Sequence, residues 1–198
     1  PAPPETEVQW EDVDTYLGVT CAGGNGRQLL VQGKSDHAAA SYVHWDNRIS
    51  TAAAAVSDLE TLEITQTQLW TLPAHALGDL AALRELRLTN NALLELPDML
   101  FSAGAGLPLL QVIDVSSNQL RTLPSSIVRL QKLQVLNGAA NQLVSLPDLS
   151  CLGALKTLNV TRNAIQELPP QLPSTLSVLL AADNKLSELP ASLGLCTS

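Results

Sequence analysis

A fifteen-residue motif recurs through most of this chain and constrains its fold more than any other feature. The motif reads Leu-x-x-Leu-x-Leu-x-x-Asn-x-Leu-x-x-Leu-Pro, and its clearest copy spans residues 83–97. The six copies begin at Leu59, Leu83, Leu110, Leu133, Leu155 and Leu176. Successive copies are therefore 24, 27, 23, 22 and 21 residues apart. A period of this length predicts a solenoid, in which each repeat packs only against its neighbours.

The Leu-x-Leu segment of each copy predicts a short strand, because its leucines alternate with outward positions and so point into the core. Stacking these strands gives a curved α/β solenoid with a parallel β-sheet on its concave side. The Leu-Pro step that ends each copy fixes φ and lacks a backbone N–H. It therefore fits a convex side made of irregular or short helical segments.

The asparagine of the motif predicts a structural ladder. It lies where the chain turns out of the strand, and stacked amides can satisfy backbone groups of adjacent repeats. The first copy carries Thr67 at this position, so we expect the ladder to fray at its N-terminal end. The ladder residues are Asn91, Asn118, Asn141, Asn163 and Asn184.

The repeats occupy residues 58–198, and the segment before them has a different character. Residues 1–7 are rich in proline and glutamate and predict a disordered lead-in. Residues 8–57 predict an N-terminal cap, because the first repeat would otherwise expose one apolar end of the stack. No polar terminal cap follows the sixth copy, so we expect the native protein to continue beyond Ser198.

We expect this cap to be helical for most of its length. An amphipathic pattern that ends at Leu17 predicts a first helix, and Gly18 stops it. Residues 29–31 predict a short strand, and a second helix is expected from Asp36 to about Val43.

The charge of the chain argues against a nucleic-acid partner. Asp and Glu total 19 against 11 Lys and Arg, a formal net charge of -8. Direct nucleic-acid binding is not expected, because a phosphate-backbone binder needs a basic stripe. A membrane partner is not expected either, since no run approaches the roughly 18 apolar residues of a membrane span.

The cysteines favour a reducing, cytoplasmic location. Cys21, Cys151 and Cys196 are too few and too scattered for a disulfide framework. We interpret Cys151 and Cys196 as small hydrophobic residues of the convex side. The glycosylation sequon Asn159-Val160-Thr161 favours the opposite interpretation, a secreted or surface recognition module, although it lies inside a predicted strand.

No residue pattern in the chain indicates catalysis, a metal or a cofactor. His37, His44 and His75 lack metal-ligand spacing with cysteines or paired carboxylates. Residues 23–26 form a Gly-rich turn without the Lys-Ser/Thr of a phosphate-binding loop. We therefore predict a protein that is not an enzyme and needs no cofactor.

The outward positions of the strands and of the turns after them predict a partner-binding concave face. Neighbouring strands lie about 4.8 Å apart, so Glu63, Arg87 and Asp114 should form a row with one cation between two anions. This row is open to two interpretations, mutual neutralisation of surface charge, which contributes little to stability, and a polar recognition stripe. Farther along, the face turns small and apolar. The predicted partner-binding residues are Glu63, Arg87, Asp114, Asn137, Asn159, Thr161, Arg162, Leu180 and Asp183.

Residues 59–198 resemble the leucine-rich-repeat family through the repeated motif described above. The Leu-Pro step and the period near 23 resemble the intracellular subclass found in Ras-pathway scaffold proteins. The sixth repeat, after Pro169-Pro170, is also similar to bacterial effector ubiquitin ligases, which keep a short period throughout. The resemblance implies a non-catalytic scaffold that binds a protein partner on its concave face within an intracellular assembly.

A narrower resemblance includes part of the cap. Residues 26–33, 107–110 and 180–186 (GRQLLVQG, LPLL and LAADNKL) are similar to the leucine-rich-repeat protein forty-seven group. In that group the repeats precede a domain similar to part of the phenylalanyl-tRNA synthetase beta chain. This resemblance implies an alternative function, an association with the ribosome or tRNA in translation, through a domain that follows residue 198.

Overall fold

A computed structural model describes the parts of the chain that position the candidate site. The described residues are 17–22, 28–33, 58–74, 76–78, 80–102 and 107–195. They form one eight-stranded sheet, in which the strands follow each other in sequence order. The strands are β1 Leu17–Ala22, β2 Gln28–Gly33, β3 Thr61–Thr65, β4 Glu85–Arg87, β5 Val112–Asp114, β6 Val135–Asn137, β7 Thr157–Asn159 and β8 Val178–Leu180.

The six repeat strands pair in parallel without any shift in register. The inward residue of each strand faces its counterpart in the next strand, as Leu86 faces Ile113 and Ile113 faces Leu136. Because side chains alternate along a strand, this register places every outward residue in a straight row with its equivalents. The predicted solenoid with a parallel concave sheet is confirmed.

The helical cap is not confirmed, because the described part of it is a β-hairpin. Strands β1 and β2 pair antiparallel, and β2 then pairs parallel with β3. Leu29 and Val31 are buried beside Leu62 and Ile64, so β2 continues the in–out alternation of the repeats and covers the first of them. Leu17, the expected end of the first helix, begins β1 instead. The rest of that helix, the second helix and the lead-in lie outside the described residues.

The core of the described residues is a stack of leucines. The inward leucines of four strands are fully buried, and burying a leucine side chain contributes about 1.5–3 kcal/mol. They are Leu62 of β3, Leu86 of β4, Leu136 of β6 and Leu158 of β7. The stretched second repeat is filled by Phe101, whose side chain is also buried. The core therefore owes its stability to many similar aliphatic contacts between neighbouring repeats.

Within the described residues, the convex side contains two short 3₁₀ helices among its turns, η1 Ser125–Arg129 and η2 Ala191–Leu195. Asp98 of the preceding repeat accepts hydrogen bonds from the backbone N–H of Ser125 at 2.7 Å and from its hydroxyl at 3.1 Å. This carboxylate satisfies a backbone donor at the first residue of η1 that has no partner within the helix itself. The predicted irregular and short helical convex side is confirmed.

Cys151 contradicts the prediction of a small hydrophobic residue on this side. Its thiol is free and the residue is exposed, whereas Leu149 and Leu152 beside it are buried. The two leucines occupy the inward positions of this turn and leave the cysteine facing solvent. Cys196 lies outside the described residues.

The asparagine ladder joins each repeat to the one before it. Asn118, for example, accepts the N–H of Leu93 at 3.0 Å and donates Nδ2 to the carbonyl of Leu88 at 2.8 Å. Asn141, Asn163 and Asn184 make the same two bonds with the preceding repeat. Asn91 likewise donates Nδ2 to the carbonyl of Ile64 at 2.8 Å, but its Oδ1 accepts the N–H of Thr67 at 3.0 Å. Thr67 donates its hydroxyl forward to Oδ1 of Asn91 at 2.9 Å. The ladder thereby fixes the turn that follows each strand at the edge of the concave face.

Candidate protein-binding face

The concave face presents its outward side chains in rows that cross the strands. We define the central row by the register of the sheet, in which Glu63 faces Arg87, Arg87 faces Asp114, and so on to Leu180. A second row, the upstream row, lies two residues earlier on the same strands. The central row is Glu63, Arg87, Asp114, Asn137, Asn159 and Leu180. The upstream row is Thr61, Glu85, Val112, Val135, Thr157 and Val178.

Arg87 takes its ion-pair partner from its own strand. Its Nη2 lies 2.7 Å and its Nε 3.3 Å from Oε2 of Glu85, a residue that was not among the predicted site residues. The pKa of Arg87 is raised, first by this hydrogen bond and then by the negative charges of Glu85, Glu63 and Asp114, against the opposing effect of burial. The predicted row of one cation between two anions is present, but Glu85 adds a third carboxylate to it.

Asp114 is satisfied by its neighbours. Its Oδ1 accepts the N–H of Ser116 at 2.9 Å and the hydroxyl of Ser116 at 2.6 Å. Its Oδ2 accepts Nδ2 of Asn137 at 3.0 Å, and Oδ1 of Asn137 accepts the N–H of Ala139 at 3.2 Å. Ser116 was missed as a site residue, although the Asp-x-Ser spacing is one at which a carboxylate can bond the backbone and hydroxyl two residues on.

The far end of the central row is more open. Oδ1 of Asn159 accepts the N–H of Thr161 at 3.1 Å, whereas its Nδ2 donates no hydrogen bond among the described residues. Leu180 is 47% exposed. Arg162 and Asp183, beyond the strand ends, form an ion pair at 3.5 Å that is exposed on both sides and so contributes little to stability.

The turn after each strand places a non-glycine residue in the left-handed region. In all six repeats the residue before the ladder position has a φ between 53° and 58°. No glycine marks these positions in the sequence, so the pattern was not predictable from turn residues. The six residues are Gln66, Asn90, Ser117, Ala140, Arg162 and Asp183. They line the concave face where the chain leaves the sheet, and they include the predicted Arg162 and Asp183.

Trp70 and Leu94 form an exposed apolar pair on the side of the solenoid that follows the ladder. The two residues occupy the same position in successive repeats, and the N–H of Leu94 lies 3.4 Å from the carbonyl oxygen of Trp70. Trp70 is 38% and Leu94 52% exposed. This pair was not predicted as a site, because each side chain alone fits the apolar composition of the repeats.

The part of the chain that the structure describes contains no group of three or more His, Cys, Asp or Glu residues able to hold a metal ion. Within the same residues, no helix is long and apolar enough to span a membrane. The three histidines and the Gly-rich turn at residues 23–26 lie outside the described ranges.

Comparisons with known proteins agree with the fold. The family model for the Leucine Rich Repeat matches residues 109–130. Podocan-like protein 1 of Mus musculus is 38% identical over 117 residues, which are 56% of this chain and 20% of that protein. Plant intracellular Ras-group-related LRR protein 8 of Oryza sativa subsp. japonica is 34% identical over 116 residues, which are 56% of this chain and 30% of that protein.

Among solved structures, the chain is similar to the plant peptide hormone receptor RGFR1 in complex with RGF2. The TM-score is 0.60 at 29% sequence identity, and the match covers 73% of this chain and 24% of the receptor chain. The matches thus span 20% to 30% of the length of these three proteins, and none of the three is named for a role in translation. The family match, the relatives and the parallel stack together support a leucine-rich-repeat family, and the described residues form a leucine-rich-repeat solenoid, a fold typical of non-catalytic protein-interaction scaffolds.

Proposed function

We propose that this chain is a non-catalytic scaffold that binds a protein partner on the concave face of its repeats, within an intracellular assembly. The observation that carries the proposal is the continuity of the central row. One outward residue from each of six strands stands in register across an open face, and none of the six is buried. The leucines and ladder asparagines are used in holding the stack, so the rows between them are the part free to recognise a partner.

Two further observations support a cytoplasmic location. Cys151 is an exposed free thiol, and such thiols persist in reducing compartments, whereas oxidising ones favour disulfides. One relative is a plant protein named as intracellular and Ras-group-related, which agrees with the Leu-Pro type of repeat.

The binding face can be tested with a triple variant, Arg87→Glu, Asn137→Arg and Arg162→Glu. Proximity labelling in cells would identify proteins that neighbour the wild-type chain, and purified candidates would then be titrated against wild type and variant. We expect the triple variant to weaken binding of the true partner at least tenfold, because it places bulky or repelling groups along the face. The fold of the variant is checked by circular dichroism and by its unfolding midpoint.

The matched control makes the same charge changes on the side that follows the ladder. The control triple variant is Arg121→Glu, Gln142→Arg and Lys185→Glu, all at exposed positions. We expect it to bind like the wild type. If both folded triple variants bound the partner as tightly as the wild type, the concave face would be rejected as the binding site. Loss of binding by the control alone would place the site on the side that follows the ladder.

A secreted or surface recognition module is the second candidate, and Asn159 favours it. Nδ2, the atom to which an N-linked glycan is attached, donates no hydrogen bond among the described residues, and the residue is half-buried on the concave face. One similar solved structure is that of a plant peptide hormone receptor, RGFR1, in complex with RGF2. Mass spectrometry of the chain from its natural source would decide, since a glycan on Asn159 would exclude the cytoplasm and obstruct the central row.

A further inference from the structure

Charge is distributed unevenly along the concave face. The ionisable side chains of β3–β8 are confined to the first three of these strands, where Glu63, Glu85 and Asp114 surround Arg87. Three carboxylates and one guanidinium give this half a net charge of −2. The outward residues of β6, β7 and β8 carry no charge. They are Val135, Asn137, Thr157, Asn159, Val178 and Leu180.

The acidic half leaves one carboxylate open. Arg87 is held by Glu85, and Asp114 is held by Ser116 and Asn137. Glu63 accepts no hydrogen bond among the described residues and is only half-buried. Glu85, Glu63 and Asp114 also raise the pKa of Arg87, which agrees with a negative potential over this half of the face. A cationic group from a partner would therefore meet a carboxylate at Glu63 that accepts no hydrogen bond among the described residues.

The neutral half leaves an amide donor and two apolar side chains open. Nδ2 of Asn159 has no acceptor among the described residues, and Val178 and Leu180 are 42% and 47% exposed. An unused amide N–H suits the backbone carbonyl of an extended segment, because the carbonyls inside a helix are already bonded within the helix. The pair of exposed side chains suits apolar groups of the same segment.

The sheet register fixes the distance between these two ends. Glu63 on β3 and Leu180 on β8 belong to the same row and are five strand steps apart. At about 4.8 Å per step the separation is about 24 Å, and an extended chain advances about 3.4 Å per residue. A segment that crosses the strands therefore covers this distance in about seven residues.

We propose that the occupant of the concave face is an extended peptide segment with a lysine or arginine over Glu63 and apolar side chains over Val178 and Leu180, about seven residues away. This inference rests on the proposed function, because it names the chemistry of the partner for the same face. Small side chains after β6, at Ala139 and Ala140, leave space for the segment between its two ends.

The test is to select binders from a displayed library of random peptides about twelve residues long, using the immobilised chain as target. We expect the enriched sequences to carry a lysine or arginine separated by five to eight residues from an apolar residue, the range around the spacing derived above. When the immobilised target is the Glu63→Lys variant, the selection should instead enrich peptides with an acidic residue at the first of these positions.

Affinities of the enriched peptides then give the quantitative check. Glu63→Lys should weaken binding about fivefold to tenfold at low salt, since an exposed attraction becomes a repulsion of similar size. Leu180→Asp should weaken it by a similar factor. Glu95→Lys makes the same charge change at an exposed position off the concave face and should change affinity less than about twofold.

The outcomes separate this inference from the proposed function. Enriched peptides without a basic residue, or with an affinity that Glu63→Lys leaves unchanged, would overturn the inference. If those same peptides still lost affinity on Asn137→Arg, the concave face would stand as the binding site. Failure to enrich any peptide would reject an extended segment as the occupant, while the titration of the two triple variants judges the face itself.

Discussion

At the residue scale, the turns of the concave face depend on a conformation that most side chains disfavour. The residue before each ladder position is left-handed, and an L-residue other than glycine or asparagine pays about 1–2 kcal/mol for that region. Asn90 and Asp183 have short polar side chains that can hydrogen-bond locally in this conformation, whereas Ala140 has none. The repeats therefore store a small strain at each turn, which the stack around it offsets.

This strain makes Ala140→Gly a stabilising change. We expect the free energy of unfolding to rise by about 0.5–1 kcal/mol, because glycine adopts the left-handed region freely and this gain exceeds its greater loss of entropy on folding. The free energies are measured from urea unfolding curves of wild type and variant in which the dependence on urea concentration has the same slope. Ala139→Gly is the matched control, since Ala139 does not have a positive φ, and it should lower the free energy by about 0.5–1 kcal/mol. The same sign for both variants would contradict the argument.

At the residue scale, the sequence predicts which side chains share a row but not which of them form an ion pair. Counting outward positions from the motif placed Glu63, Arg87 and Asp114 in one row, because register in a leucine-rich stack follows from the period. The partner of Arg87 was not predictable, since Glu85 lies two residues away on the same face and competes with both neighbours across the strands. Only side-chain rotamers decide among three nearby carboxylates.

At the element scale, the ladder asparagines connect one turn to the next through both ends of their amides. Asn118 is the most buried of them, and its Nδ2 also donates to the carbonyl of Val115 at 3.0 Å. Asn118→Asp keeps the acceptor for Leu93 but turns a carboxylate oxygen toward the carbonyls of Leu88 and Val115. We expect the free energy of unfolding to fall by about 2–4 kcal/mol at pH 7, as for a buried polar group without its partner.

The loss of stability caused by Asn118→Asp should grow as pH rises. The introduced carboxylate faces these two carbonyl oxygens and that of Ser116, which Nδ2 of Asn118 also contacts at 3.2 Å. Facing them raises the pKa of the carboxyl above its unfolded value of about 3.9. The protonated form can donate the missing hydrogen bond, so the deficit relative to wild type should be smallest near pH 3–4 and grow as pH rises through the folded pKa. Asn118→Ala, which cannot titrate, should show a deficit that pH leaves unchanged. Parallel pH profiles for the two variants would refute this account.

The elements outside the repeat were the harder ones to predict. Strand β2 followed from the apolar run at residues 29–31, but β1 did not, because its residues carry no motif and an amphipathic helix pattern runs into Leu17. Pairing with β3 decides the outcome, since a hairpin supplies backbone partners to the edge of the sheet and a helix does not.

At the scale of the whole molecule, stability is a sum over neighbours and so depends on position in the stack. Leu136 on β6 has a repeat on each side and is fully buried. Leu179 occupies the same position on β8, pairs with β7 among the described strands, and is only half-buried. In a solenoid each repeat contributes its own stability and one term for each interface, so equivalent leucines need not carry equal weight.

Replacing each of these leucines by alanine tests that view. Leu136→Ala should lower the free energy of unfolding by about 3 kcal/mol, the range for a buried leucine that leaves a cavity, and Leu179→Ala by about 1 kcal/mol, because less apolar surface is removed from contact. Urea unfolding measures both values. Hydrogen exchange should show the backbone amides of β5 and β6 protected longer than those of β8, since local opening begins where fewer contacts hold the chain. If both substitutions lowered the free energy of unfolding equally and the amides of β8 exchanged as slowly as those of β5 and β6, β8 would be supported as fully as the central strands. That result would contradict a stability that is a sum over neighbouring repeats.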